Sequence, residues 1–403
     1  MCDSVEPFLR RVVLRNYKSI RECEVSLGRL ALLVGPNGAG KSNFLDALRF
    51  VAESLRTTTD QALRERGGIR EVRRRSRGHP THFGIELDVH LPDGRNGQYM
   101  FSVGAKAKGA FEIQEERCRI ADTGRTSAEY LVRSGTVERA TFHPKPPASV
   151  DRLFLTLASG FPEFRLLYDS LAGMGFYSIS PEQLRDLQEP GEGSLLLRDG
   201  RNAASVMAWL TRQVGERIEE YLANIAPGTK HVGRKPLGHK ETLEFKQAVA
   251  GDEHPWSFLA QNMSDGTLRA LGVLISLFQC FDRPRETPIP LVGIEEPEST
   301  LHPAAAGVLM GAMFEASHYT QVVATTHSPE LMDTSELDAD SLLIVDASEG
   351  ETLIGPADEA SKSVMRDRLY TAGELLKLNQ LRPAPKAVAT AANQSPLPLF
   401  PNE

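Results

Sequence analysis

The sequence is poor in cysteine, in long apolar runs and in net positive charge, and each shortage removes a class of protein. Its four cysteines, Cys2, Cys23, Cys118 and Cys280, lie far apart with no C-x-x-C pair. Neither a disulfide framework nor a cysteine-based metal site is expected. The longest apolar stretch, around Ala270 to Phe281, is interrupted by Ser276 and Gln279 and is too short to span a bilayer. An early acid and the lack of an apolar segment with a cleavage site argue against a signal peptide, so the expectation is a cytoplasmic protein without membrane contact. A net charge of −7 gives no general attraction to nucleic acid, and any such contact must come from a local patch. No heptad run is long enough for an extended coiled coil, and no internal repeat is visible.

What is present is a 403-residue chain, 41% hydrophobic and 25% charged, with material for two or three lobes of a globular protein. The first stretch, up to Val34, alternates apolar and polar residues and then becomes continuously apolar, which predicts two half-exposed strands and one buried strand. Alternating segments from His82 to about Phe142, with the turn "LPDGRNG" inside them, predict an antiparallel β subdomain. Beyond Ser149 the pattern is helical. After Trp256, apolar strands alternate with helices in the rhythm of a parallel sheet with crossovers. The Pro- and Ala-rich tail from Arg382 predicts no regular structure.

The chemistry begins at "GPNGAGKS", which follows the buried strand and leads into an amphipathic helix. It matches G-x-x-x-x-G-K-[ST] in the strand, loop, helix context that a phosphate-binding loop requires. Gly35, Pro36, Asn37, Gly38, Ala39, Gly40 and Asn43 form the loop whose amides close on a polyphosphate, Lys41 reaches the β and γ phosphates, and the Ser42 hydroxyl is a ligand for Mg²⁺. Such a loop needs acids, and "IPLVGIEEPEST" ends a strand in Glu295 and Glu296. Adjacent carboxylates point to different sides, so one can hold the metal while the other polarises the attacking water. The strand "QVVATTH" ends in His327, a position suited to sensing a γ-phosphate. Between these lies "MSDGTLRAL", where Ser264, Asp265 and Gly266 open an amphipathic helix; a helix cap is the simplest reading of them.

Taken in order, these motifs resemble the ABC-type ATPases, and "LRNYKSI", "GPNGAGKSN" and "IEEPESTLHP" resemble the RecF, SMC and OLD-like branch of AAA-family ATPases. The resemblance is strong over about residues 8–60 and 256–375 and loose between them. It implies an α/β P-loop fold of ABC-ATPase type, with a parallel-sheet core, an antiparallel β subdomain and a helical insertion. It further implies binding and Mg-dependent hydrolysis of ATP by a homodimer that forms around the nucleotide. Glu295 becomes a metal ligand, Glu296 and His327 become catalytic groups, and Ser264, Asp265 and Gly266 become the signature that completes the site of the opposite protomer. Two departures stand out. Glu295 occupies a position where many relatives carry Asp, and Asp265 and Thr267 differ from the Ser-Gly-Gly-Gln form of transporters. The end of "GFYSISPEQ" is a candidate Q-loop.

The expected organisation is a P-loop lobe with the β subdomain over residues 1–150, a helical insertion or lid over 151–255, a signature and acid-pair lobe over 256–375, and an unstructured tail over 376–403. The segment Arg64 to Arg77 holds seven Arg against two Glu, and Arg70, Arg73, Arg74, Arg75 and Arg77 are candidate contacts to double-stranded DNA. A solvated helix face or a lid over the nucleotide explains the same charges. Three roles follow: a DNA-associated ATPase in repair or antiphage defence, an ATPase switch for a separately encoded nuclease or toxin, and a transporter nucleotide-binding subunit. The long spacing between Ser42 and Ser264 and the β-rich insert disfavour the last. The absence of a long coiled coil separates the chain from SMC proteins and resembles RecF, and with no acidic, metal-binding segment after Asp346 the Toprim nuclease of OLD-type proteins is not expected.

Overall fold

The computed structural model of the chain describes residues 6–76, 80–122, 124–191, 193, 195–281, 289–334 and 337–384. Arg77 and residues 385–403 of the expected tail lie outside the described residues. Strands β1 (Leu9–Tyr17), β2 (Ile20–Ser26) and β3 (Leu30–Val34) come first, then helices α1 (Lys41–Arg56), α2 (Thr59–Arg64) and α3 (Ile69–Val72). Strands β4 (His82–His90), β5 (Asn96–Ala105), β6 (Phe111–Asp122), β7 (Arg125–Arg133) and β8 (Thr136–Ala140) follow. Next are α4 (Leu155–Ala158), α5 (Pro162–Gly173), β9 (Gly175–Tyr177), α6 (Pro181–Arg185), α7 (Ala203–Trp209) and α8 (Arg212–Ile225). The remainder comprises β10 (Thr229–Leu237), β11 (Lys240–Gln247), β12 (Trp256–Leu259), α9 (Asp265–Phe278), β13 (Leu291–Glu295), α10 (Pro303–Ala316), β14 (Gln321–Thr326), β15 (Leu342–Ser348), β16 (Glu351–Pro356), α11 (Glu359–Arg366) and α12 (Ala372–Lys377).

The chain divides into two units, the first made of residues up to Met174 with Ala339–Asp367 and the stretch from Gln380, the second of Gly175–Asp338 with Arg368–Asn379. In the first, β2, β1 and β4 to β8 form a seven-stranded antiparallel sheet in the order β2-β1-β4-β5-β6-β7-β8. Strand β4 shows why: Phe83, Ile85, Leu87 and Val89 alternate inward, while Glu86 and Asp88 face out and meet Arg11 of β1. The inner face carries Tyr17, Phe83, Tyr99 and Phe101, and Phe50 of α1 packs edge-on against Phe83. Helix α1 is thereby held on its apolar face, Phe44, Leu45, Leu48, Val51 and Leu55 all being buried. Strand β15 lies parallel to β3 and antiparallel to β16.

In the second unit, β13 is flanked in parallel by β9 and β14. Its sequence, LVGIE, is buried over the first four residues, as a strand covered on both faces must be. Helix α9 is apolar on nearly every side, with Leu268, Leu271, Val273, Leu274, Ile275 and Phe278 buried, and packs against α8 and α10. Arg217 of α8 pairs with Glu315 of α10 and closes that layer. Within the 151–255 stretch read as helical, helices are joined by the hairpin β10–β11, which turns at Gly238 with φ 65° and adds β12 on its other side. Its many Lys, Arg and His residues conceal the alternation that would have marked two strands.

Candidate functional site

The glycine-rich loop belongs to the first unit, and its shape is set by close approaches that leave no room for a side chain. A Cβ on Gly35 would lie 2.0 Å from the Val345 carbonyl oxygen of β15. Gly40 is the N-cap of α1 with φ 103°, a conformation that glycine adopts without penalty. Pro36, Asn37 and Gly38 are exposed, whereas Ala39 and Lys41 are buried. The Lys41 ammonium donates to the carbonyls of Gly35 at 2.7 Å and Pro36 at 3.0 Å, so it is folded back over the loop it serves. Ser42 is exposed and Asn43 half-buried at the first turn of a 16-residue helix. A glycine-rich turn, a helix N-terminus and a lysine around one exposed loop fit a polyphosphate.

Beneath that helix sits a charge network that sequence reasoning did not find. Asp46 of α1 receives Lys18 at 2.6 Å, Arg49 at 2.6 Å and Arg66 at 3.0 Å, and the Tyr17 hydroxyl at 2.8 Å. Burial pushes the Asp46 carboxyl up, but Arg66, Lys18 and Arg49 outweigh it and hold it well below the usual carboxylate range. Three of the seven arginines of the basic stretch are therefore committed to the fold. Arg66 pairs with Asp46 and Glu53, Arg74 is buried against Glu351, and Arg73 donates to the Pro80 carbonyl. Arg70 is exposed, and Arg75 is exposed but paired with Glu71.

The second unit carries the acids. Glu295 ends β13, and Glu296 follows with φ 44°, a left-handed conformation that costs a non-glycine residue about 1 kcal/mol. That conformation is held from both sides: the Glu296 amide donates to the Thr325 carbonyl at 3.1 Å, and the Glu296 carbonyl accepts from Arg269 at 2.9 Å. The Glu296 carboxylate lies 3.4 Å from His327 Nδ1 and accepts the Ser299 hydroxyl at 3.2 Å. Glu295 is paired with Arg198 at 2.9 Å. Glu298, buried behind them, accepts the Thr326 hydroxyl at 2.6 Å, and burial pushes its carboxyl up. Both acids and the histidine thus converge on one edge of the parallel strands, where ligands of such sheets bind.

The motif helix α9 is tied to the same edge. Ser264 caps it, accepting the Thr267 amide at 3.2 Å, while Asp265 pairs with Arg185. A Cβ on Gly266 would lie 2.9 Å from the Thr300 carbonyl oxygen in the loop after the acids, so glycine is required there. Ser264 and Asp265 remain exposed. Arg269, Arg198, Glu298 and Ser299 were missed by sequence reasoning. Only Arg269 left a signal, a lone cation on an apolar helix five residues after Ser264.

These features define a P-loop ATPase of ABC type, of the RecF, SMC and OLD kind. The chain belongs to the family described as "AAA domain, putative AbiEii toxin, Type IV TA system", whose model matches residues 30–333. Among curated proteins it is similar to the OLD nuclease of Thermus scotoductus, at 24% identity over 89% of this chain and 66% of that protein. It is also similar to the structural maintenance of chromosomes protein 1 of Schizosaccharomyces pombe, at 28% identity over 40% of this chain and 14% of that protein. The chromosome partition protein Smc of Desulfitobacterium hafniense matches at 25% identity over 62% and 22%. The chain therefore spans just under two thirds of the first relative and a small part of the others. Among solved structures, an SMC head bound to the C-terminal winged-helix domain of ScpA superposes with a TM-score of 0.52 and 15% identity, covering 86% of this chain and 97% of that one. An SMC head with an extended coiled coil, bound to the C-terminal domain of ScpA from Pyrococcus furiosus, gives a TM-score of 0.54 and 14% identity, covering 90% and 100%. At those identities the likeness is one of fold.

Proposed function

We propose that the chain binds and hydrolyses ATP in a Mg-dependent reaction, as a homodimer closed around the nucleotide, in DNA repair or antiphage defence, alone or with a separately encoded effector. The observation that carries this reading is Glu296, whose strained backbone is fixed by Thr325 and Arg269 and whose carboxylate meets His327 and Ser299. A carboxylate so fixed is suited to take a proton from water as it attacks the γ-phosphorus with ADP as the leaving group, while His327 contacts the γ-phosphate. Lys41 and the loop amides would hold the triphosphate, and Ser42 and Glu295 would be the side chains for magnesium, which would neutralise phosphate charge. Magnesium is ordinarily held by one or two side chains together with phosphates and water, and the Ser42 hydroxyl, exposed at the first turn of α1, suits that part. Glu295 must exchange its Arg198 partner for that role. Ser264, exposed at the start of α9, is the contact offered to the nucleotide of the opposite protomer.

A second reading is an ATPase switch that governs a toxin or nuclease without binding DNA itself. The inward commitment of Arg66, Arg73 and Arg74 favours it, because it withdraws three of the seven arginines of the basic stretch from contact with phosphates. Glu296→Gln tests the shared core of both readings: ATP should still bind, turnover should fall by at least a hundredfold, and an ATP-dependent dimer should accumulate in light scattering. Turnover at the unaltered rate would remove Glu296 from the chemistry.

A further inference from the structure

Thr352, on β16, is far in sequence from the glycine-rich loop, yet it is buried against it. Its hydroxyl donates to the Ala39 carbonyl at 2.8 Å. It also lies 2.6 Å from the Ser19 hydroxyl, in the turn between β1 and β2, and Ser19 in turn accepts the Asn43 side-chain amide at 2.6 Å. The Thr352 amide donates to the Ser19 carbonyl at 3.1 Å, so the two residues are joined twice. The direction of the chain of hydrogen bonds follows by elimination. A carbonyl can only accept and an amide NH₂ can only donate, so Asn43 donates to Ser19, Ser19 to Thr352, and Thr352 to Ala39. Every member has its partner, and bonds aligned in one direction reinforce one another.

The end of this relay is a peptide plane. In a trans peptide the carbonyl and the following N–H point in opposite directions. Holding the Ala39 carbonyl against Thr352 therefore turns the Gly40 N–H away from β16. The fit is tight at this point: a Cβ on Gly40 would lie 2.1 Å from the Thr352 hydroxyl oxygen. We propose that Thr352 is a positioning residue that fixes the Ala39–Gly40 peptide through this relay and so aims the Gly40 amide at a nucleotide phosphate. The inference rests on the reading of Gly35 to Asn43 as the ATP-binding loop, and it adds to that loop a residue from the far end of the sequence. Asn43 and Ser19 gain a reason as well, since they complete the relay from the first turn of α1 and from the "NYKSI" turn.

The test compares Thr352→Val, which keeps the shape and removes the hydroxyl, with Thr352→Ser, which restores it. Titration with a fluorescent ATP analogue should show affinity reduced on the order of tenfold in Thr352→Val, because a buried carbonyl loses its donor and the peptide is free to turn. Thr352→Ser should bind within about twofold of the unaltered chain, and in Thr352→Val the loss should appear in KM with kcat largely kept. Labelling alanine carbonyl carbon and glycine nitrogen restricts the NMR spectrum to the five Ala-Gly peptides of the chain, and the 39–40 signal is the one lost in Ala39→Ser. Its amide shift on ADP addition should be large in the unaltered chain and reduced in Thr352→Val. A folded Thr352→Val chain with unchanged affinity and an unchanged amide shift would overturn the proposal. If Thr352→Val does not fold, Ser19→Ala decides, with a loss of about threefold expected and no loss refuting the relay. Lys41→Ala separates the two levels of the argument. If it abolishes binding while Thr352→Val does not, the relay alone fails; if neither weakens binding, the ATP site itself is misassigned.

Discussion

Arg269→Met tests whether the motif helix and the acid loop act as one piece. The Arg269 guanidinium donates to the carbonyls of Ile179 at 2.6 Å, Glu296 at 2.9 Å and Glu295 at 3.2 Å, and so joins α9 to β13 and to the segment after β9. Burial pushes the guanidinium below its ordinary value, while Glu298, Glu296 and Glu295 oppose the shift. Methionine keeps most of the apolar stem and removes every donor. Charge-assisted hydrogen bonds contribute about 1.5–3 kcal/mol each, and relief of the desolvation of the cation offsets part of three such losses. A net destabilisation of about 3 kcal/mol is expected, read as a lower urea midpoint with an unchanged slope. Because Arg269 holds the Glu296 carbonyl, one of the two sides that fix its left-handed backbone, kcat should also fall at least tenfold while KM changes little. A midpoint within about 0.5 kcal/mol of the unaltered chain, with kcat preserved, would refute the reasoning.

Two further outcomes follow from the first unit. Glu116 of β6 is buried, accepting the amides of Phe154 and Leu155 and the hydroxyls of Tyr99 and Tyr130, and burial pushes its carboxyl up to about 7 against those bonds. Between its ordinary value of 4.5 and about 7 the folded chain holds a proton that the unfolded chain has lost. Stability should therefore fall as pH rises through that window, by about 3 kcal/mol in all, and Glu116→Gln should flatten the slope in denaturant titrations across pH. An unchanged slope would place the titration on another group. For the basic stretch, Arg70→Glu with Arg75→Glu should weaken any DNA binding and make its logarithmic salt dependence shallower by about two, measured by fluorescence anisotropy. An unaltered salt slope would place the DNA contact elsewhere or support the switch reading.

The parts of the fold that were legible in the sequence are those with strong local patterns. Strand alternation from Phe83 to Val89, the continuous apolar run from Leu30 to Val34, and the helical spacing after Thr267 each report burial directly. The turn from Gly35 to Gly40 between a buried strand and a helix was legible because closely spaced glycines mark a loop at that place. The hairpin β10–β11 was not, since its Lys, Arg and His residues fall on both faces and its apolar residues are few. Composition likewise misled about Arg73 and Arg74. A run of arginines reads as a surface patch, but partners distant in sequence, Pro80 and Glu351, draw these two inward. Thr352 and Arg269 escaped for the same reason: their contacts join segments that are adjacent only in the folded chain.

The central claim, that ATP is hydrolysed at a site completed by a second copy of the chain, is tested most directly by mixing two inactive variants. Lys41→Ala lacks the lysine of the phosphate loop, and Ser264→Arg places a bulky cation at the start of α9 where the opposite nucleotide must dock. Each variant alone should fold and show no turnover. In a heterodimer one composite site draws Lys41 from the Ser264→Arg chain and Ser264 from the Lys41→Ala chain, and the two-fold symmetry of an isologous dimer makes that pairing unavoidable. Mixing should therefore restore part of the ATPase activity of the unaltered chain. Turnover by Ser264→Arg alone at the unaltered rate would contradict the account and leave Ser264 as a helix cap and nothing more.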